Sequence, residues 1–135
     1  MPLHAGLRPG LRRILVADED PAVVAFVIET LRQDGHDVFH AQDGLSAVEL
    51  AIAADDCHLV ISNTRVAGMP GVELIRQLRL AKPDIPIMYL ANVGRSTPEI
   101  ESELPADVPI LREPFTASEL RWHVRVLLNG NGTRP

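Results

Sequence analysis

Arg13-Ile-Leu-Val-Ala-Asp-Glu-Asp-Pro21 decides how the rest of the chain is read. Arg13 to Ala17 is a short apolar run suited to a strand buried within a parallel sheet. Acids follow at once, and Asp20-Pro21 then supplies a helix start, an N-cap acid before a proline at the first helical position. From Pro21 to Gln33 the residues Val24, Val27, Ile28 and Leu31 recur at helical spacing, and Asp34-Gly35 supplies the stop.

Working outward, strand-like and helix-like segments keep alternating. Strands are expected at Asp37–Ala41, His58–Ser62, Ile85–Leu90 and Val108–Leu111, and helices at Gly44–Ala53, Val72–Leu80, Pro98–Leu104 and Ala117–Leu128. The pattern predicts an α/β domain of flavodoxin-like, doubly wound (βα)5 architecture, a five-stranded parallel sheet with helices on both faces. Ligand chemistry in such a sheet sits outside the carboxyl ends of the strands, which brings Asp18, Glu19, Asn63, Ala91 and Glu113 together. Residues 1–11, with two Pro and two Gly and no period, read as a flexible leader, 12–128 as the domain and 129–135 as a flexible tail.

Composition bounds the function. A length of 135 residues suits one domain, and 46% apolar content argues against disorder. The net charge is -5, and the scattered bases leave no footprint for nucleic acid. Neither a bilayer-spanning apolar run nor a cleaved signal is recognisable, so a cytoplasmic protein without membrane attachment is expected. Cys57, the single cysteine, excludes an intrachain disulfide and reads as a small residue at the core edge. His36, His40, His58 and His123 show no ligand spacing. Of the thirteen bases twelve are Arg, so chemistry that needs a lysine has only Lys82.

Four stretches, in this order and inside a βα repeat, carry a family resemblance. They are Ile14-Leu-Val-Ala-Asp-Glu-Asp-Pro21, Leu59-Val-Ile-Ser-Asn-Thr-Arg-Val-Ala-Gly-Met-Pro-Gly71, Ile85-Pro-Ile-Met-Tyr-Leu-Ala-Asn92 and Leu111-Arg-Glu-Pro-Phe115. Over residues 12–128 the chain resembles the receiver domain of bacterial two-component response regulators. That family implies phosphoryl transfer to an aspartate at the end of the third strand and Mg²⁺ held by an acidic pair after the first. It also implies a hydroxyl at the end of the fourth strand and a lysine before a proline after the fifth. Mg²⁺ and the lysine neutralise phosphoryl oxygens, and the hydroxyl hydrogen-bonds the transferred group.

Carried over residue by residue, the resemblance puts Asp18 and Glu19 at the acidic pair, with helix-start acids favoured by the macrodipole as the plainer reading. Asn63 falls at the phosphoacceptor position, Ala91 at the hydroxyl position and Glu113 at the lysine position. Lys82, before Pro83-Asp84, is expected on the opposite edge. Ile110 stands where many relatives carry an aromatic switch residue, and Val66-Ala67-Gly68 replaces the usual proline-containing loop. The resemblance therefore implies a degenerate receiver, a pseudo-receiver, with no catalytic residue, no required cofactor and at most weak Mg²⁺ binding at Asp18 and Glu19. Glu113-Pro114 matches a step that is commonly cis in relatives. Three carboxylates, Asp18, Glu19 and Glu113, would then gather without a lysine. A bound cation or a raised pKa would answer this, as would a Glu113 turned to solvent or to Arg65, the outcome favoured here.

The expected function is that of a non-enzymatic signalling protein in a two-component phosphorelay. Its partner is a histidine kinase or another signalling protein, met through the fourth helix, fifth strand and fifth helix, with the chain a monomer or homodimer. Trp122 on the last helix belongs to the core or, if exposed, to such an interface. One rival is a receiver phosphorylated on Asp18 or Asp20. A more distant one is a small doubly wound nucleotide-binding enzyme, for which the loop lacks both GxGxxG and a phosphate-loop lysine.

Overall fold

The computed structural model describes residues 12–129 apart from 55, so the expected leader 1–11 and all of the tail except Asn129 lie outside the described residues. Strand β1 (Arg13–Ala17) leads into α1 (Pro21–Gln33), β2 (Asp37–Ala41), α2 (Gly44–Ala53) and β3 (Cys57–Asn63). A two-residue pair, β4 (Arg65–Val66) and β5 (Met69–Pro70), precedes α3 (Gly71–Ala81). Then come β6 (Ile87–Ala91), α4 (Pro98–Glu101), β7 (Ile110–Arg112) and α5 (Ala117–Leu128).

The main sheet has five strands in the order β2-β1-β3-β6-β7, all parallel. The order reverses between β1 and β3, so the ends of these two strands form the topological switch point. Alternation along the strands divides the core. Leu15, Ala17, Val60 and Tyr89 share a cluster with Ala47, Ala51, Leu74, Ile75 and Leu78 from α2 and α3. Ile14, Val16, Leu59, Ile61, Met88 and Leu90 face the other way, against Val27 and Leu31 of α1 and Leu120 and Val124 of α5. Each fully buried Leu or Ile of these clusters contributes about 1.5–3 kcal/mol of transfer free energy. The flavodoxin-like expectation therefore holds.

Local chemistry explains the boundaries. Asp20 caps α1 by accepting from the Ala22 N–H at 3.0 Å, and α1 ends at Asp34 followed by Gly35 at φ 87°. Two strands start later than expected, at Ile87 and Ile110, because Pro86 and Pro109 lack the N–H a ladder needs. Their carbonyls still accept, from Val60 and Tyr89, each at 3.0 Å. Helix α4 stops at Glu101 rather than at Leu104, and turn hydrogen bonds carry the chain on. The β4–β5 pair was not anticipated. It turns through Gly68 at φ 89°, and the Gly44 N–H donates to the Ala67 carbonyl at 2.9 Å. On α5, Leu120 and Val124 are buried, Trp122 and Leu128 are half-buried, and Arg125 is exposed.

Candidate functional site: the carboxyl ends of the strands

The ends of β1, β3, β6 and β7 meet at one rim, where Asp18 and Asn63 are 1% and 4% exposed. Asp18 follows the buried β1 and points inward. Its Oδ1 accepts from the Asp20 N–H at 2.8 Å, and its Oδ2 accepts from the Asn63 Nδ2 at 2.7 Å. The Asn63 Oδ1 accepts from the Thr64 N–H at 2.6 Å, so both ends of the amide are engaged. Burial pushes the Asp18 carboxyl above its ordinary value, against the lowering effect of the Asp20 N–H and the Asn63 amide. His40 reaches the Asp18 backbone carbonyl through Nε2 at 3.1 Å.

Close packing sets the loop that carries Asn63. The Gly71 N–H donates to the Thr64 carbonyl at 2.8 Å. A Cβ on Gly71 would overlap the Asn63 carbonyl oxygen, which is why this position needs glycine. Thr64 then ties β3 to the end of β6, with its hydroxyl donating to the Leu90 carbonyl at 2.9 Å and accepting from the Asn92 N–H at 2.8 Å. Sequence reasoning passed over Thr64. The available signal was a small hydroxyl residue directly after a strand end, able to satisfy backbone groups that the sheet leaves open.

Glu113 departs from the favoured expectation. It turns to neither solvent nor Arg65: its Oε1 lies 3.4 Å from the Asn92 Nδ2, and its Oε2 is buried without a hydrogen-bond partner. The cause is local geometry. The Glu113 N–H donates to the Ala91 carbonyl at 3.0 Å, which holds this backbone at the end of β6 beside the rim, and the Glu113-Pro114 bond is cis. Burial, then the charges of Asp18 and Asp20, push the Glu113 carboxyl above its ordinary value, with the Asn63 and Asn92 amides offsetting only part of this.

The expected trio of carboxylates is also corrected. Glu19 points away from Asp18, half-exposed, with its Oε2 4.0 Å from both the Arg65 Nε and the Arg95 Nη1. Neighbouring residues leaving a strand diverge to opposite sides, so Glu113 gathers with Asp18 and Asp20 instead. As arranged, Asp18 and Glu19 do not converge on a common point: each Asp18 oxygen accepts an N–H and Glu19 faces two arginines at 4.0 Å. Among the described residues no three His, Cys, Asp or Glu side chains are placed to hold a metal ion. Lys82 lies at the opposite edge as expected, its Nζ donating to the Ala54 carbonyl at 3.0 Å. Cys57 is buried there too.

A second network joins the rim to α4. The Tyr89 hydroxyl, on a fully buried β6 residue, meets the Ser96 Oγ at 2.9 Å, and Ser96 donates to the Glu101 Oε2 at 2.7 Å. Arg112 of β7 clasps Glu101 with both terminal nitrogens, at 2.9 and 2.7 Å. Among the described residues no helix is long and apolar enough to cross a membrane.

Comparison with known proteins identifies the scaffold. The family described as "Response regulator receiver domain" matches residues 14–124. The response regulator receiver protein CpdR of Brucella abortus is 29% identical over 119 residues, covering 88% of this chain and 92% of that protein. The response regulator MprA of Mycolicibacterium vanbaalenii is 37% identical over 117 residues; the chain spans 50% of that relative's length and 86% of its own is matched. Among solved structures, a receiver protein from Sinorhizobium medicae superposes with a TM-score of 0.79 at 28% identity, covering 90% of this chain and 98% of that one. The chemotaxis protein CheY4 of Vibrio cholerae shares the fold with a TM-score of 0.77 at 24% identity, over 87% of this chain and 99% of that one. With a parallel sheet of this order, acids at the switch point and a family match over most of its length, the chain belongs to the response regulator receiver domains of two-component signalling.

Proposed function

We propose that this receiver domain works by binding signalling proteins and does not accept a phosphoryl group at Asn63. One observation carries the reading. The side chain at the end of β3 is an amide whose nitrogen donates to Asp18 at 2.7 Å and whose oxygen is held by the Thr64 N–H at 2.6 Å. An acyl phosphate forms when a carboxylate oxygen attacks phosphorus and displaces the donor's leaving group. A neutral amide already engaged at both ends has no such nucleophile. Ala91 offers no hydroxyl, and Glu113 brings negative charge where the family places positive. These three substitutions support the pseudo-receiver reading together.

The partner is a protein of the same signalling class, such as a histidine kinase, met through the face of α4, β7 and α5. The setting is cytoplasmic, with the chain a monomer or homodimer. Phosphorylation at Asp18 or Asp20 is the weaker reading, because Asp18 is buried under two N–H donors and Asp20 caps α1. Incubation with acetyl phosphate and Mg²⁺, followed by intact-mass measurement, is expected to show no adduct of about 80 Da, the mass of one phosphoryl group. A stoichiometric adduct mapping to any aspartate overturns the reading.

A further inference from the structure

Beside the acid rim lies a cavity of about 420 Å³ bounded by Ala22, Val23 and Phe26 of α1, Val93 after β6, and Glu113-Pro114-Phe115. Its walls are apolar and incompletely covered: Phe26 is 39% exposed and Val93 75% exposed. The Phe26 and Phe115 rings pair at 5.8 Å with a 55° tilt, offering aromatic surface at one wall. Glu113 is the one ionisable residue of the lining, and its Oε2 has no hydrogen-bond partner. Among the described residues no lysine or arginine is paired with that carboxylate: Lys82 is held at the far edge on Ala54, and Arg65 and Arg95 face Glu19.

We infer that this cavity receives a lysine side chain presented by a partner protein, its methylene stem along Phe26, Val93 and Pro114 and its ammonium on Glu113. Charge complementarity selects the occupant. Glu113, Asp18 and Asp20 gather negative charge with no lysine or arginine in a salt bridge to them among the described residues, and an ammonium reaching Glu113 brings one positive charge from outside. Aromatic faces favour the same ligand, since cations are attracted to ring faces within about 6 Å. A protein source fits better than a free amine, because a small amine would leave the outer surfaces of Phe26 and Val93 in water. A partner surface carrying the lysine covers them.

The inference rests on the chain being a partner-binding receiver, and the two fail differently. An acyl-phosphate adduct would overturn the proposed function, whereas the lysine site is read by ligand titration alone. The probe is a capped Leu-Lys-Leu tripeptide, titrated into the full chain in chelator-treated buffer and followed by amide resonances. Controls are the same tripeptide acetylated on Nε, which keeps the stem and removes the charge, and free hexylamine. Saturable shifts are expected at residues 22–26, 93 and 113–115, with affinity roughly tenfold above both controls. Glu113→Gln should erase the preference for the charged tripeptide, and Val93→Ser, at an exposed position, should weaken it and its acetylated control alike. Equal binding of the acetylated form, or a charge preference that persists in Glu113→Gln, overturns the site. Hexylamine binding as tightly as the tripeptide overturns the partner-protein source.

Discussion

With Asp18 and Asp20 as neighbours and one oxygen lacking a donor, ionised Glu113 works against folding. Its folded pKa lies above the unfolded one, so the native state binds more protons and stability falls as pH rises from about 4.3, the unfolded value, through the folded value. Glu113→Gln should therefore match the parent at low pH, where Glu113 is protonated, and exceed it at pH 7 in urea unfolding, because the charged form beside Asp18 and Asp20 is gone. A parent equal to the variant at neutral pH would show that the carboxylate is solvated after all. Asn63 calls for a different test. Asn63→Asp puts a carboxylate back at the end of β3, yet Ala91 and Glu113 still lack the hydroxyl and the positive charge, so little acetyl-phosphate adduct should appear by intact mass. Near-complete modification of that variant would mean that the rest of the pocket is competent.

Thr64 and Gly71 act at the scale of elements. The Thr64 hydroxyl joins β3 to the segment after β6 through Leu90 and Asn92, so Thr64→Val keeps the shape and leaves the Asn92 N–H without its partner. A loss of about 1–3 kcal/mol is expected. Faster amide exchange at 92–97 than elsewhere would locate the effect, and uniform exchange would argue against a local tie. Gly71→Ala drives a methyl group against the Asn63 carbonyl, which must move with α3. Thermal unfolding should show a cost in the about 1–3 kcal/mol range of overpacking. Thr116 and Glu119 form a reciprocal capping box on α5, just after the Glu113-Pro114-Phe115 segment, and Thr116→Ala should lose about 1 kcal/mol.

At the scale of the whole molecule, the question is whether the domain switches. Receivers respond to phosphorylation because the phosphoryl group interacts differently with two conformations. On the proposed reading, Ala91 and Ile110 stand where the family resemblance places a hydroxyl and an aromatic ring, while Tyr89, Ser96, Glu101 and Arg112 link β6, α4 and β7 in one continuous arrangement. A single conformation is expected, and amide spectra with and without beryllofluoride and Mg²⁺ should overlay across residues 91–115. Shifts spreading through that segment would show a working switch.

Short buried runs such as Ile14–Ala17 and Leu59–Ser62, with turn and cap residues between helical stretches, were sufficient by themselves for the α/β architecture and for bringing Asp18, Asn63, Ala91 and Glu113 to one rim. Strand and helix periods are local properties, and the parallel crossover leaves few ways to assemble them. Side-chain direction at the rim was decided only in three dimensions. Glu113 turns inward where the Ala91 carbonyl holds its backbone N–H against the end of β6. Glu19 leaves the pocket because it follows Asp18, and Arg65 and Arg95 reach it from separate loops. The Thr64 tie and the Tyr89–Arg112 chain join residues far apart in sequence. No local spacing announces such contacts, since packing of the sheet and helices creates them.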